Sequence, residues 1–176
     1  MAGTVDTEYG IKKLTKQNWL EPAAVWKAFV RLCADGTPVP FTSSDFVEPL
    51  LEVRLSSNVP EQLRKLFEVA RGTMIYGWFF YPLLTLGAEQ AFRVAEAAVN
   101  HKCDELGFKG RRAFEKRLEW LAEQDVIRAT SKKTWHAVRE LRNIGSHPDS
   151  QQIFSPGMAV ESLQRCAELI NSLFDS

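Results

Sequence analysis

Excess charge of either sign is missing from this 176-residue chain, in which 22 Lys and Arg balance 22 Asp and Glu. A net basic footprint for nucleic acid is therefore absent, although a local basic patch survives such averaging. Cysteine is scarce: Cys33, Cys103 and Cys166 are far apart, odd in number, and form no CxxC or Cys/His cluster. That spacing supports neither a disulfide framework nor a structural zinc site, and nothing else in the chain calls for a metal or cofactor. A reducing, cytoplasmic setting is the simplest expectation. Long apolar runs are also lacking. The longest, residues 76–86, is broken by Gly77 and Pro82 and is too short to span a bilayer, so it predicts a core segment and no membrane partner. Residues 1–10 are polar and acidic and do not read as a signal peptide. Strand signals are few, with no alternating Val/Ile/Thr run and no Asn-Gly hairpin.

What is present is apolar residues at helical spacing. With 45% hydrophobic and 25% charged residues, the composition is that of a globular domain with a real core. A first helix is predicted over residues 18–34, with Pro22 in its first turn and Trp19, Val25, Trp26, Phe29, Val30 and Cys33 inward. Asp35-Gly36 stops it, and residues 37–41, with two prolines, read as loop. A short helix follows from Ser44, capped by Ser43 or Ser44. Pro60 opens a helix over 61–78, and Leu63, Leu66, Phe67, Ala70, Met74 and Ile75 form its apolar face. Pro82 forces a break. A long helix then spans 83–106, with Gly107 as its stop and Ala88, Ala91, Phe92, Ala95 and Val99 on one face. Further helices are expected over 111–123, from Ser131 as cap to Ile144, and over 156–173 with Met158, Val160, Leu163, Cys166, Leu169, Ile170 and Leu173 inward. The fold class is all-α: a helical bundle over 56–176, with residues 1–55 as an N-terminal helical extension packed on it.

Chemistry concentrates at the end of the penultimate helix. Trp135, Val138, Leu141 and Ile144 define an apolar sector, and Arg142 falls between Trp135 and Val138 at its edge. A partly desolvated guanidinium needs an anion, either a carboxylate of the protein or a phosphate of a ligand. Five residues on, His147 points away from Arg142 if the helix continues. A left-handed Gly145 would end the helix and fold His147 back over its C-terminus. An imidazole beside a fixed guanidinium is a metal-free phosphodiester site in outline: the histidine moves a proton and the arginine holds the phosphate.

The run Leu141-Arg142-Asn143-Ile144-Gly145-Ser146-His147-Pro148 resembles the HEPN superfamily signature, an arginine often followed by a polar residue and then, after a short interval, a histidine. Trp135, the helix from Pro156 and the segment Ala91-Phe92-Arg93-Val94-Ala95-Glu96 fit one subgroup of it, and the resemblance covers about residues 60–174. It implies a helical bundle that forms a homodimer, with two Arg/His segments in one cleft, and a metal-independent endoribonuclease of toxin–antitoxin or antiviral systems. RNA would be substrate, and an antitoxin or other defence protein a partner. Arg142 would bind phosphate, Asn143 would be the polar residue after it, and His147 would be catalytic. Other members are inactive and only bind, so the alternative is a non-catalytic RNA- or nucleotide-binding or protein-interaction module. Asp149 stands where nucleotidyltransferase-paired members carry a tyrosine, so regulation through that tyrosine is not implied.

Each of these features also has a plain structural reading. Arg142 would pair with Glu96 or Glu89, and His147 would cap the helix. Glu89, Arg93 and Glu96 form a polar stripe that is either a solvated ion pair or, through Glu96, a support that orients Arg142. The basic run of Lys109, Arg111, Arg112, Lys116 and Arg117 is a solvated helix start or a steering patch for RNA. His101 and His136 are expected at the surface, and Trp78 to Tyr81 in the core or a dimer interface.

Overall fold

A computed structural model describes residues 5–6, 11–110, 113–145 and 153–175, with the backbone alone at 5–6 and 142–145. Its elements in chain order are β1 (Val5–Asp6), β2 (Ile11–Lys12), a 3-10 turn (Ala24–Ala28), β3 (Val30–Leu32), β4 (Pro38–Pro40), α1 (Ser43–Glu52), α2 (Glu61–Tyr76), α3 (Leu83–Glu105), α4 (Phe114–Glu123), α5 (Ala129–Gly145) and α6 (Pro156–Phe174). The fold is all-α in its core, with two small antiparallel hairpins near the N-terminus, β1–β2 and β3–β4.

Helix α3 is the axis. Ten of its residues are buried, and α2, α4, α5 and α6 all pack on it. The small residues predicted for it, Ala88, Ala91 and Ala95, are fully buried. Gly87 lets α2 approach closely: a Cβ there would lie 2.9 Å from the Ala70 carbonyl oxygen. The helix ends as the sequence predicts. Gly107 adopts φ +82°, and the Gly107 and Phe108 amides donate back to the Asp104 and Cys103 carbonyls, which satisfies the last turn. Pro82 separates α2 from α3, and Ser155 caps α6 by accepting from the Met158 amide.

The helix expected over 18–34 does not form. The chain instead makes the 3-10 turn and then pairs Val30–Leu32 with Pro38–Pro40 around Gly36 at φ +82°. Trp26 explains the outcome. Its indole N–H donates to the Trp78 carbonyl at 2.8 Å, and its ring lies among Phe29, Phe41, Phe46, Trp78 and Tyr81. One deep anchor replaces an amphipathic face, so Trp19 and Val30, expected inward, are 58% and 60% exposed. Residues 37–41, expected as loop, contain β4. The cap of α1 is Thr42 rather than Ser43 or Ser44, in a reciprocal pair with Asp45. Ser131 lies inside α5 rather than capping it. Leu66 and Met158, expected inward, are 42% and 48% exposed.

The segment before α2 shares the core of the bundle. Trp26, Phe46 and Leu50 belong to the same buried cluster as the residues of α2, α3 and α6. Polar ties reinforce the contact: Arg71 donates to the Leu51 and Val53 carbonyls, and Asn171 bonds the Ser56 amide and the Arg54 carbonyl. Among the described residues, no helix is long and apolar enough to cross a membrane.

Candidate functional site

Helix α5 carries the sequence-predicted site. Trp135 and Val138, 1% and 4% exposed, set its buried face. Position 142 follows them by seven and four residues, about 20° and 40° away round the helix at roughly 100° per residue. By helical register, position 142 therefore lies close to Trp135 and Val138 round the helix, and position 143 about 100° further round. Glu96, on α3, is half-buried, whereas Arg93 of the same stripe is exposed. So the structure brings together the helices of Glu96 and Arg142. The side chains of Arg142 and Asn143, and the whole of His147, lie outside the described residues. Gly145 is still within α5, so the left-handed stop expected at it is not what the structure shows there, and the residues that follow it to 152 lie outside the described residues.

The basic run is divided by the fold. Arg117 turns inward and is 5% exposed. Its Nη1 donates to the Asn100 carbonyl at 3.0 Å, its Nη2 lies 3.2 Å from Asp104, and its guanidinium sits over the Phe108 ring. Lys116 pairs with Glu119 at 2.8 Å. Arg111 and Arg112 lie outside the described residues. Any steering patch therefore loses Arg117, which holds α4 to α3. Similarly, Arg139 on α5 pairs with Glu115 on α4 at 2.9 Å.

His101 is exposed near Phe174, while His136, expected at the surface, is half-buried. Lys116 holds the Glu119 carboxyl below its ordinary range, with smaller help from Lys132 and His136 across the α4–α5 gap. That gap is an open groove of about 680 Å³ where Glu119, Glu123 and Asp125 face Arg128 and Lys132. Each set of charges opposes the dipole of its own helix end and is compensated by the other. The mixed lining gives a phosphate no net attraction. Tyr81 is a core residue and half-buried Trp78 packs against that core, both against the Trp26 ring.

Sequence reasoning missed a second groove, between α5 and α6. It holds about 230 Å³ and is lined by Phe92, Val138, Leu141, Phe154 and Met158, among others, with Glu161 and Arg165 also at its edge. Phe154 is held there by its amide, which donates to the Thr85 hydroxyl at 2.9 Å. The available signal was Thr134, Ala137, Val138 and Leu141 at i, i+3, i+4 and i+7, a second apolar stripe on α5 beside that of Trp135. Among the described residues, no group of three or more His, Cys, Asp or Glu side chains is placed to hold a metal ion.

No curated protein and no solved structure matches the chain. One protein family does. Residues 83–175, just over half of the chain and the whole of α3 to α6, match the family described as a domain of unknown function, DUF4145. The match takes in both helices of the candidate site and the segment between α5 and α6, and the chain belongs to the DUF4145 family.

Proposed function

We propose that this domain is a HEPN-type, metal-independent endoribonuclease with a toxin or defence role, acting as a homodimer in the cytoplasm. The observation that carries the reading is the register of α5. It sets position 142 on the face packed against α3, the helix of half-buried Glu96, with the Arg142-Asn143-x-x-x-His147 motif running off the helix end. An arginine on such a face needs an anion. In this reading Glu96 would supply one within the chain, and a scissile phosphate a second when RNA is bound. In this mechanism a 2′-hydroxyl attacks the adjacent phosphorus while the P–O5′ bond breaks. Proton transfer by His147 leaves a 2′,3′-cyclic phosphate and a 5′-hydroxyl, and Arg142 stabilises the charge on the phosphoryl oxygens. Two copies of the motif in one cleft would let one histidine take the proton and the other give it.

The test is cleavage of RNA by the purified protein in EDTA, with the product ends identified. His147→Ala and Arg142→Ala are each expected to lower the rate by at least about 100-fold. Cleavage that survives His147→Ala removes the assignment.

The apolar groove between α5 and α6 favours a second reading, a non-catalytic module that binds RNA or a partner protein such as an antitoxin. Leu141 and Met158 at that groove are 38% and 48% exposed, which suits recognition of an apolar partner surface. Binding without turnover, lost in Leu141→Asp but kept in His147→Ala, selects this reading.

A further inference from the structure

The hairpin of β3 and β4 turns an apolar face to solvent. Its register pairs Val30 with Pro40, Arg31 with Val39 and Leu32 with Pro38. Successive side chains alternate between the two faces of a strand. Phe29 and Phe41 lie against the Trp26 ring, so one face is anchored on the core. The other face carries Val30, Leu32, Pro38 and Pro40. All four are exposed, Val30 by 60% and Leu32 by 67%. Because they are cross-strand neighbours, they form one apolar patch.

The two edges of the hairpin differ. The Cys33 amide donates to the Thr37 carbonyl, and the Phe41 amide to the Phe29 carbonyl. In an antiparallel ladder such pairs recur at every second residue, which makes Arg31 and Val39 the bonded pair between them. The N–H and C=O groups of Val30 and Leu32 therefore point away from β4. Among the described residues, no other backbone group bonds them. By the same parity the nitrogens of Pro38 and Pro40 point away from β3, and neither carries a proton. Proline in that position closes an edge to further pairing. The β4 edge is thus closed and the β3 edge is open.

Two features of the open edge select its occupant. The outward donors and acceptors of Val30 and Leu32 match an extended chain running antiparallel to β3. Between them sits Arg31, with its side chain on the core-facing side. Its Nε lies 2.9 Å from Asp45 Oδ1, yet the side chain is still 51% exposed. A second copy of β3, in the register that pairs both residues, would set one Arg31 directly opposite the other. That like-charge contact opposes self-pairing, whereas a carboxylate in the same place complements the guanidinium. We propose that β3 is a docking edge for an extended segment of a different protein, which adds as a third strand with apolar residues opposite Val30 and Leu32 and an Asp or Glu between them, opposite Arg31. The hairpin precedes residues 83–175, which match the family, so this recognition belongs to the N-terminal segment and stands apart from the nuclease reading.

The probe is the end-capped peptide Ser-Thr-Val-Glu-Val-Thr-Ser, titrated into the full chain and followed by amide NMR and hydrogen exchange. In the free protein the Val30 and Leu32 amides are expected to exchange at least about tenfold faster than that of Arg31, and the peptide should protect both. Methylating the two valine nitrogens removes the donors that face β3 and should weaken binding at least about tenfold. Methylating the glutamate nitrogen, which faces away, should leave binding unchanged. Lysine in place of the glutamate should weaken it about fivefold. In the protein, Leu32→Pro removes an outward donor just as Pro38 does on the other edge. It is expected to weaken binding at least about tenfold with the helical circular dichroism unchanged. The peptide series decides the matter if that variant fails to fold. No binding at about 1 mM peptide, or equal binding of the valine-methylated peptide, overturns the proposal. Protection of the Val30 and Leu32 amides in the free protein also overturns it, because another part of the chain or a second copy then covers the edge. Sedimentation with phosphatidylcholine vesicles that Leu32→Pro abolishes, without peptide binding, gives the patch to a lipid surface instead.

Discussion

Among the described residues, Arg117 is the one charged side chain that is buried. Its partners explain why it is tolerated. The Asn100 carbonyl and Phe108 ring are inside the protein, while Asp104 is 68% exposed and keeps its hydration. Removing the arginine strands no buried carboxylate. Arg117→Met, which keeps the volume and discards the charge, is therefore expected to stay within about 1 kcal/mol of wild type. Arg117→Ala, which also opens a cavity, is expected to cost about 2–4 kcal/mol, and urea denaturation of the two variants checks the pair. Equal large losses would mean the charge itself holds α4 to α3. The sequence could not separate this arginine from its basic neighbours, because inward orientation depends on α3 lying opposite. The thiols make a second case at this scale. Burial pushes Cys103 up to about 11 and Cys166 up to about 12. Unfolding returns both to their ordinary value near 9, so above that pH the unfolded chain releases protons that the folded chain retains. These two groups leave stability unchanged below about pH 9 and lower it progressively as the pH rises toward their folded values. Denaturant titrations between pH 7 and 10.5 check the sign, and Cys103→Ala/Cys166→Ala should flatten the slope. An alkylating reagent at pH 8 should label half-buried Cys33 and reach the other two only on unfolding.

Elements were legible where their signals are local. The span of α2, the break at Pro82, the stop of α3 at Gly107 and the Ser155-Pro156 start of α6 all depend on residues within a turn or two of the boundary. Residues 18–34 misled because Trp26 binds Trp78, 52 residues away, and the aromatic spacing that mimics a helix face is produced by convergence on one ring cluster. Two helix glycines show the same division between local and distant causes. Gly72 in α2 and Gly87 in α3 look equivalent as helix-interior glycines. A Cβ at Gly72 meets nothing within 4 Å. At Gly87 it would overlap Met74 Cγ and lie 3.0 Å from the Met74 amide nitrogen. Gly72→Ala is therefore expected to stabilise the protein by up to about 1 kcal/mol, through helix propensity alone. Gly87→Ala must push α2 from α3 and is expected to cost about 1–3 kcal/mol. Thermal melts of the two variants should move in opposite directions, and a stabilising Gly87→Ala would mean that α2 yields at no cost.

At the scale of the whole molecule, the family match spans α3 to α6, yet the core extends beyond it through α2 to Trp26, Phe46 and Leu50. The candidate site was half legible for a related reason. Register along α5 is local and relates position 142 to Trp135 and Val138, but which helix that face meets is a property of the assembled bundle, and the Arg142 side chain lies outside the described residues. A shared core makes a cooperative claim about residues 11–52: they unfold with the bundle. Trp26 is the sharpest probe, because it is 3% exposed and its N–H and the Ala23 amide both donate to the Trp78 carbonyl. Trp26→Phe keeps much of the ring packing and the Ala23 bond, so its cost is expected near 1 kcal/mol. Trp26→Ala is expected to cost about 3–5 kcal/mol. If the core is one unit, that loss falls on the global transition, and tryptophan fluorescence and helical circular dichroism of Trp26→Ala shift together to lower denaturant. If residues 11–52 were a separate layer, fluorescence would move first and the helical signal would keep its wild-type midpoint, which would refute the single core.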